Sequence, residues 1–238
     1  MASEPQVAGD GVPEIAVRYS VEELSAIAEL AGLGSFPGTG EHLLEQPRER
    51  QAARRALVAR GTVGAGPDGT LAIEPGERAL LGCALRPGAV LSVAHARGGA
   101  VTTSLVYVTR ELSVLHAEEA DGVHRLAAFP TAMLPRRVAA LAHLSSRDST
   151  GGEPVALTDA ELERLRAGET PEALDGGART SSRVSVLRRD GERVAGGDVV
   201  WVDAAGRGLM AVEPRDGGAV LAPVAARDLV ERLRLLLD

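Results

Sequence analysis

The chain has 238 residues, 26 basic and 33 acidic, giving a net charge of −7; the length suffices for one large domain or two small ones, and the charge argues against a surface made wholly for nucleic acid. Hydrophobic residues make up 45% and aromatics only 2%, so a sizeable core is available but must be built from Val, Leu and Ala. Every basic residue is arginine, which excludes a Walker-A phosphate loop, a protein-kinase ATP site, a Schiff-base aldolase and a pyridoxal-phosphate enzyme, since each needs a lysine.

Residues 1–14, rich in acids, Pro and Gly, are expected to be a disordered tail. They lack the basic start and apolar run of a signal peptide. No apolar stretch approaches the roughly 18 residues of a membrane helix, so a cytoplasmic location without membrane insertion is expected. Ser20-Val21-Glu22-Glu23 is a capping box, and Leu24, Ile27, Ala28 and Ala31 continue it as an apolar helical stripe that Gly32 stops. A second helix runs from Pro47 to about Gly61. A third spans about Pro75 to Arg86, with Leu80, Leu81, Ala84 and Leu85 inward and Pro87 ending it.

After Pro87 the period becomes that of strands. Ala89–Ala96 and Ala100–Thr109 read as a hairpin across Arg97-Gly98-Gly99, followed by strands at Leu112–Ala117 and Val123–Phe129. A helix then carries Val138, Leu141 and Ala142. Ser145–Pro154 reads as a polar, Gly-containing linker, and the boundary between the halves is placed at 146–157. Thr158-Asp159-Ala160-Glu161 is a second capping box, with Leu157 and Leu162 placed as a hydrophobic staple. Strands return at Ser182–Arg189, Val194–Asp203, Gly208–Glu213 and Ala219–Ala222, and a helix from Pro223 to Leu237 closes the chain.

The two strand-rich blocks look like copies. Leu91-Ser92-Val93 matches Val184-Ser185-Val186, Val106-Tyr107-Val108 matches Val200-Trp201-Val202, and Leu115-His116-Ala117 matches Leu209-Met210-Ala211. A four-strand-plus-helix unit leaves an edge unpaired and a face uncovered, and two joined side by side about a pseudo-twofold axis would remedy both. The expected fold is therefore α+β: an internally duplicated unit forming a central, largely antiparallel sheet with flanking helices. It is read as a single domain over 15–238, with halves 15–145 and 158–238. Tyr107 and Trp201 are expected at equivalent positions on strands covered on both faces.

No catalytic, cofactor or metal set emerges. His116 and Glu118 share a strand face, but simple hairpin register puts His124 on the other, and His42, His95 and His143 supply no zinc-type spacing. Cys83, the only cysteine, cannot form an intramolecular disulfide and reads as a small core residue among Leu80, Leu81, Ala84 and Leu85. No GxSxG elbow is present, and the glycines of 34–40 and 61–66 fit no phosphate loop. The helix from Pro47 carries Arg48, Arg50, Arg54, Arg55 and Arg60 against Glu49. Followed by a hairpin through Asp68-Gly69, it gives an alternative reading as a winged-helix DNA-binding regulator, although a solvated basic face accounts for most such runs and nucleic acid is the weaker partner class.

The early helix Val21 to Leu30 with its Pro/Gly loop, the segment Ala52-Ala53-Arg54-Arg55-Ala56-Leu57-Val58-Ala59-Arg60-Gly61, Asp68-Gly69, and the helix ending in Leu85-Arg86-Pro87 ahead of the strands together resemble the EspG family. These are cytosolic chaperones of type VII (ESX) secretion in actinobacteria. The duplicated sheet-plus-helix layout and the C-terminal amphipathic helix add to the likeness, which covers most of the chain from about Tyr19. The resemblance implies a non-enzymatic chaperone or adaptor without cofactors that holds a helical secretion substrate soluble before export. A PPE-like and a WXG100-like client both stay open, and no partner-binding residue carries over from the family. The surplus apolar surface of the last helix (Leu229, Val230, Leu233, Leu236, Leu237) makes it or the sheet the expected contact, with Leu236 the surplus residue.

Overall fold

The computed structural model describes residues 15–39, 47–119, 122–144, 151–174, 177–190, 193–215 and 218–237. The tail at 1–14, His42 and much of the polar stretch between the halves lie outside them. In chain order the first half holds β1 (Ile15–Ser20), α1 (Val21–Leu30), α2 (Pro47–Ala59), β2 (Val63–Ala65), β3 (Leu71–Ile73), α3 (Pro75–Leu85), β4 (Ala89–Arg97), β5 (Ala100–Val108), β6 (Leu112–Glu118), β7 (Val123–Pro130) and α4 (Leu134–Leu141). The second half holds β8 (Val155–Leu157), α5 (Asp159–Arg166), β9 (Ala178–Asp190), β10 (Arg193–Ala204), β11 (Gly208–Arg215), β12 (Gly218–Pro223) and α6 (Ala226–Leu237).

Local chemistry fixes the ends of these elements. Ser20 Oγ accepts the Glu23 N–H at 3.3 Å while the Ser20 N–H donates to the Glu23 carboxylate at 2.9 Å. Thr158 and Glu161 repeat the exchange at the start of α5. Each box satisfies two orphan donors of a helix start. α3 begins with Pro75 at its first position, where the missing N–H costs nothing. Gly98 and Gly99, both at positive φ (59° and 81°), form the two-residue turn joining β4 to β5, a geometry that suits the right-handed strand twist and favours glycine.

The strands form one ten-stranded sheet in the order β1-β7-β6-β5-β4-β9-β10-β11-β12-β8, antiparallel throughout, with β2 and β3 a separate hairpin. Each strand has a counterpart of the same rank across the β4–β9 junction, so the fold is an α+β duplication about a pseudo-twofold axis. Register locates the axis. Adding 93 to both members of a β4–β5 pair yields a β9–β10 pair, Leu91–Val106 becoming Val184–Val199. At the junction Ser92 lies opposite Ser185, its own counterpart.

This register corrects one expectation. The counterpart of Tyr107 is Val200, not Trp201. Tyr107 packs in the layer beneath α1 and α3, whereas Trp201 packs against α4 and α6. Matching by Val-rich triplets slipped by one residue in this strand, and one residue in a strand reverses the face. Two edge strands also escaped the sequence reading. β1 runs directly into the α1 cap, and β8 falls at the end of the stretch read as linker.

One face of the sheet is covered by α4 and α6, which enclose Leu91, Val93, Val184, Val186 and Trp201 together with Leu229 and Leu233. On the other face α1 and α3 cover the first-half strands around Tyr19, Ile27, Leu81 and Tyr107, with Leu57 of α2 buried in the same layer. α5 covers the second-half strands around Leu165, Val200, Val202 and Met210. Each fully buried Val or Leu contributes about 1.5–3 kcal/mol. Between these two helical groups the end of α5 lies over Ala94 and Arg183 of the central strands β4 and β9, while around Val90 and Leu187 the same strands are left open among the described residues.

Candidate interaction surface

The uncovered strip follows from alternation. Val184 and Val186 point toward α4 and α6, so Leu187 must point the other way, where it pairs across the junction with Val90. Leu187 is 57% exposed and Val194 of β10 is 67% exposed. The β9–β10 pairing places Val194 opposite Arg189 and Gly196 opposite Leu187, so Leu187 and Val194 are diagonal neighbours on one face. A Cβ on Gly196 would lie 3.0 Å from Leu187 Cδ2, so the leucine lies flat over the bare glycine. Leu33, Leu85, Val90, Leu187 and Val194 line a hollow of about 540 Å³, with Arg86 also on its lining and no carboxylate there among the described residues; Arg188, the next residue on β9, turns its guanidinium to the opposite face. Large apolar side chains exposed beside polar ones mark contact surfaces. Sequence reading missed this place; its signal was Leu187, which breaks the alternation of β9.

The histidines do converge, but inside the core. β6–β7 pairing sets Glu118 opposite His124, so His116 and His124 share a face, contrary to the simple hairpin register expected from the sequence. The two strands pair one residue later than that register assumed. His116 Nδ1 lies 2.7 Å from the Tyr107 hydroxyl, His116 Nε2 lies 2.9 Å from His124 Nδ1, and the Tyr107 hydroxyl donates to the Pro37 carbonyl. Since that hydroxyl has one proton, a consistent chain runs one way: His124 N–H to His116, His116 N–H to Tyr107, Tyr107 O–H to Pro37. Burial first, and then His124, hold His116 down to about 4. The network pins the 33–39 loop to the sheet. Among the described residues no group of three His, Cys, Asp or Glu side chains could hold a metal ion.

Elsewhere His95 Nδ1 lies 3.0 Å from Ser182 Oγ, and Ser182 donates to the Ala142 carbonyl. These contacts tie the end of α4 to the central strands, and burial lowers the His95 pKa, helped by His143 and Arg97. Cys83 is buried, its Sγ within 3.5 Å of the Tyr107 and Leu112 carbonyls, and desolvation raises it to about 11. That is the environment of an inert thiol, not a nucleophile.

α2 is followed by the β2–β3 hairpin, the order a winged helix needs, yet much of its charge is used within the fold. Arg50 and Arg54 both reach Glu29, at 2.9 and 3.0 Å, and Arg60 reaches Glu23 at 3.0 Å and the Arg18 carbonyl. On α6, Leu236 packs against the core, so it is not the surplus residue. That role falls to Leu235, 68% exposed, with Val230 at 38%. The helix is rotated so that 229, 233 and 236 form the inward stripe. Among the described residues no helix is long and apolar enough to cross a membrane.

This architecture, a ten-stranded antiparallel sheet made of two fused β-rich halves with six α-helices among the described residues, is EspG-like in fold. A solved structure of the Mycobacterium tuberculosis type VII secretion chaperone EspG5, in complex with a PE25–PPE41 dimer, matches it with a TM-score of 0.64 over 94% of this chain and 96% of that one, at 10% identity. At that identity the likeness is one of fold. No family model matches the sequence, and no curated protein matches it.

Proposed function

We propose that this chain is a chaperone or adaptor that binds a helical protein client of the type VII secretion kind and keeps it soluble before export. The supporting observation is the EspG-like fold along nearly the full length of both chains, shared with a chaperone seen holding a PE–PPE dimer. The open apolar strip between α3 and α5 adds a surface on which a client could lose apolar area to water. On this reading residues 15–238 act as one EspG-like domain in the cytoplasm, the role is binding rather than catalysis, and a PPE-like client is the first candidate with a WXG100-like one the second. The test is co-expression of the tagged protein with PPE-like and WXG100-like proteins from the same genome, followed by pull-down and size exclusion. A stoichiometric complex is expected with at least one of them. Recovery of the lone protein from every pairing overturns the proposal.

A further inference from the structure

The duplication itself indicates what the hollow beside Val194 accepts. A second, much smaller hollow, about 20 Å³, is lined by Ala94, Val101, Arg183 and the last turn of α5, Leu165 to Gly168. The offset of 93 carries Ala94 to Leu187, Val101 to Val194 and Val90 to Arg183, so the two hollows are the same place in the two halves. In one of them the chain's own helix end is seated. Gly168, at φ +89°, comes so close that a Cβ there would lie 3.0 Å from Val101 Cγ2 and 3.1 Å from Ala96 Cβ. Arg166 and Arg183 both form ion pairs with Asp198, at 3.3 and 3.1 Å, across the turn.

In the other half α1 is the counterpart of α5, entered through the same type of capping box, but its end only borders the hollow through Leu33, and about 540 Å³ stays open. The contacts there differ in kind: Val90 and Leu187 replace the Arg183–Ala94 pair, and Leu105 stands where Asp198 does. Charge completes the fit. Arg86 is on the hollow's lining, which among the described residues has no carboxylate, and a helix C-terminus carries a partial negative charge on its free carbonyls. Arg188 shows the mode on the opposite face of the sheet, where its guanidinium donates to the Leu236 carbonyl at the end of α6.

We infer that the Val90–Leu187–Val194 hollow receives the C-terminal turn of a partner protein's α-helix, with a small residue facing Val194 and its terminal carbonyls toward Arg86. The inference deepens the chaperone reading, on which the identity of that partner as a client rests. The probe is a labelled peptide of residues 158–170, the segment that fills the equivalent hollow, titrated into the full chain and followed by anisotropy. Saturable binding is expected. Leu187→Asp or Val194→Asp should weaken it about tenfold or more, as loss of a central apolar contact does, and Val230→Asp on the opposite face should not. A peptide with Gly168→Leu should bind about tenfold more weakly. Unchanged melting curves and Trp201 emission confirm that the variants fold.

Absence of binding at millimolar peptide, or binding indifferent to Leu187→Asp and Val194→Asp, overturns the inference. So does a dimer in sedimentation equilibrium that Val194→Asp dissolves, which would assign the hollow to a second copy, or peptide binding that appears only after residues 1–14 are deleted, which would assign it to the chain's own start. A client complex insensitive to both substitutions removes the site and leaves the chaperone reading standing. Peptide binding with no client recovered does the reverse.

Discussion

Acidification should loosen this fold through one side chain. His116 is 4% exposed, hydrogen-bonded to Tyr107 on one side and His124 on the other, with the Phe36 ring against it at a centroid distance of 6.0 Å. Among the described residues the titratable groups hydrogen-bonded to it are that tyrosine and that histidine, and neither supplies the negative charge an imidazolium would need. Its pKa falls from 6.5 to about 4, through burial first and His124 second. The folded state therefore refuses a proton that the unfolded chain accepts. The associated stability is fully present above the unfolded value and is lost as pH drops through the interval between the two. Linkage with those values removes about 2 kcal/mol between pH 7 and pH 5. Protonation also deprives His124 of its acceptor, so the 33–39 loop loosens together with the sheet.

The assay is urea unfolding followed by the emission of Trp201, the only tryptophan and buried, at both pH values for the wild type and His116→Gln. Glutamine keeps a donor and an acceptor but does not titrate. The variant should be weaker at pH 7, and its further loss on acidification should be smaller than that of the wild type by about 2 kcal/mol. Parallel profiles in the two proteins would refute the reasoning, because the acid sensitivity would then belong to other groups.

Ser20→Ala removes an N-cap whose partner Glu23 also holds Arg60, and should cost about 1 kcal/mol in urea unfolding; Thr158→Ala should cost a similar amount. Gly168→Ala places a Cβ against Val101 and Ala96 in a left-handed backbone, and a loss of roughly 1–2 kcal/mol is expected. Adding Val101→Ala should recover only part of it, since the backbone strain remains. Arg54→Gln with Arg55→Gln should leave peptide and client binding nearly unchanged. A gel shift with mixed genomic fragments at low salt should show no tight retention, and strong salt-sensitive retention would favour the winged-helix alternative.

Much of the fold was legible because its signals are local. Both capping boxes, Pro75 at a helix start, and the Gly98-Gly99 turn each act within a few residues, and each appears where its pattern stood. What was not legible depended on register. The match of Tyr107 to Trp201 and the assignment of His124 to the wrong face both erred by one residue, the smallest slip that turns a strand over. β1 and β8 were missed because a short edge strand has one paired side and little apolar period to reveal it. Leu236 was misassigned because a helical stripe gives the buried arc but not how tightly its margin packs; Gly197 on β10 leaves room for that leucine, a Cβ there lying 3.0 Å from its Cδ1.

The open hollow had no local signal at all, and the reason lies in how the two halves diverged. In the second half β9 is the next element after α5, and the end of α5 stays over the central strands and fills the space it was duplicated with. In the first half α2, the β2–β3 hairpin and α3 intervene between α1 and β4. Leu57 and Leu81 from those elements join Leu24 and Ile27 of α1 in one core, which commits α1 to packing outward against its own helical layer. Leu187 and Val194 are then left exposed beside a Val90 that this core covers only in part. Residues that would stabilise the fold in a symmetric molecule become surface in this one. Filling the hollow from within should therefore stabilise the chain and abolish binding together, the opposition expected where a binding site is made from an unfinished core.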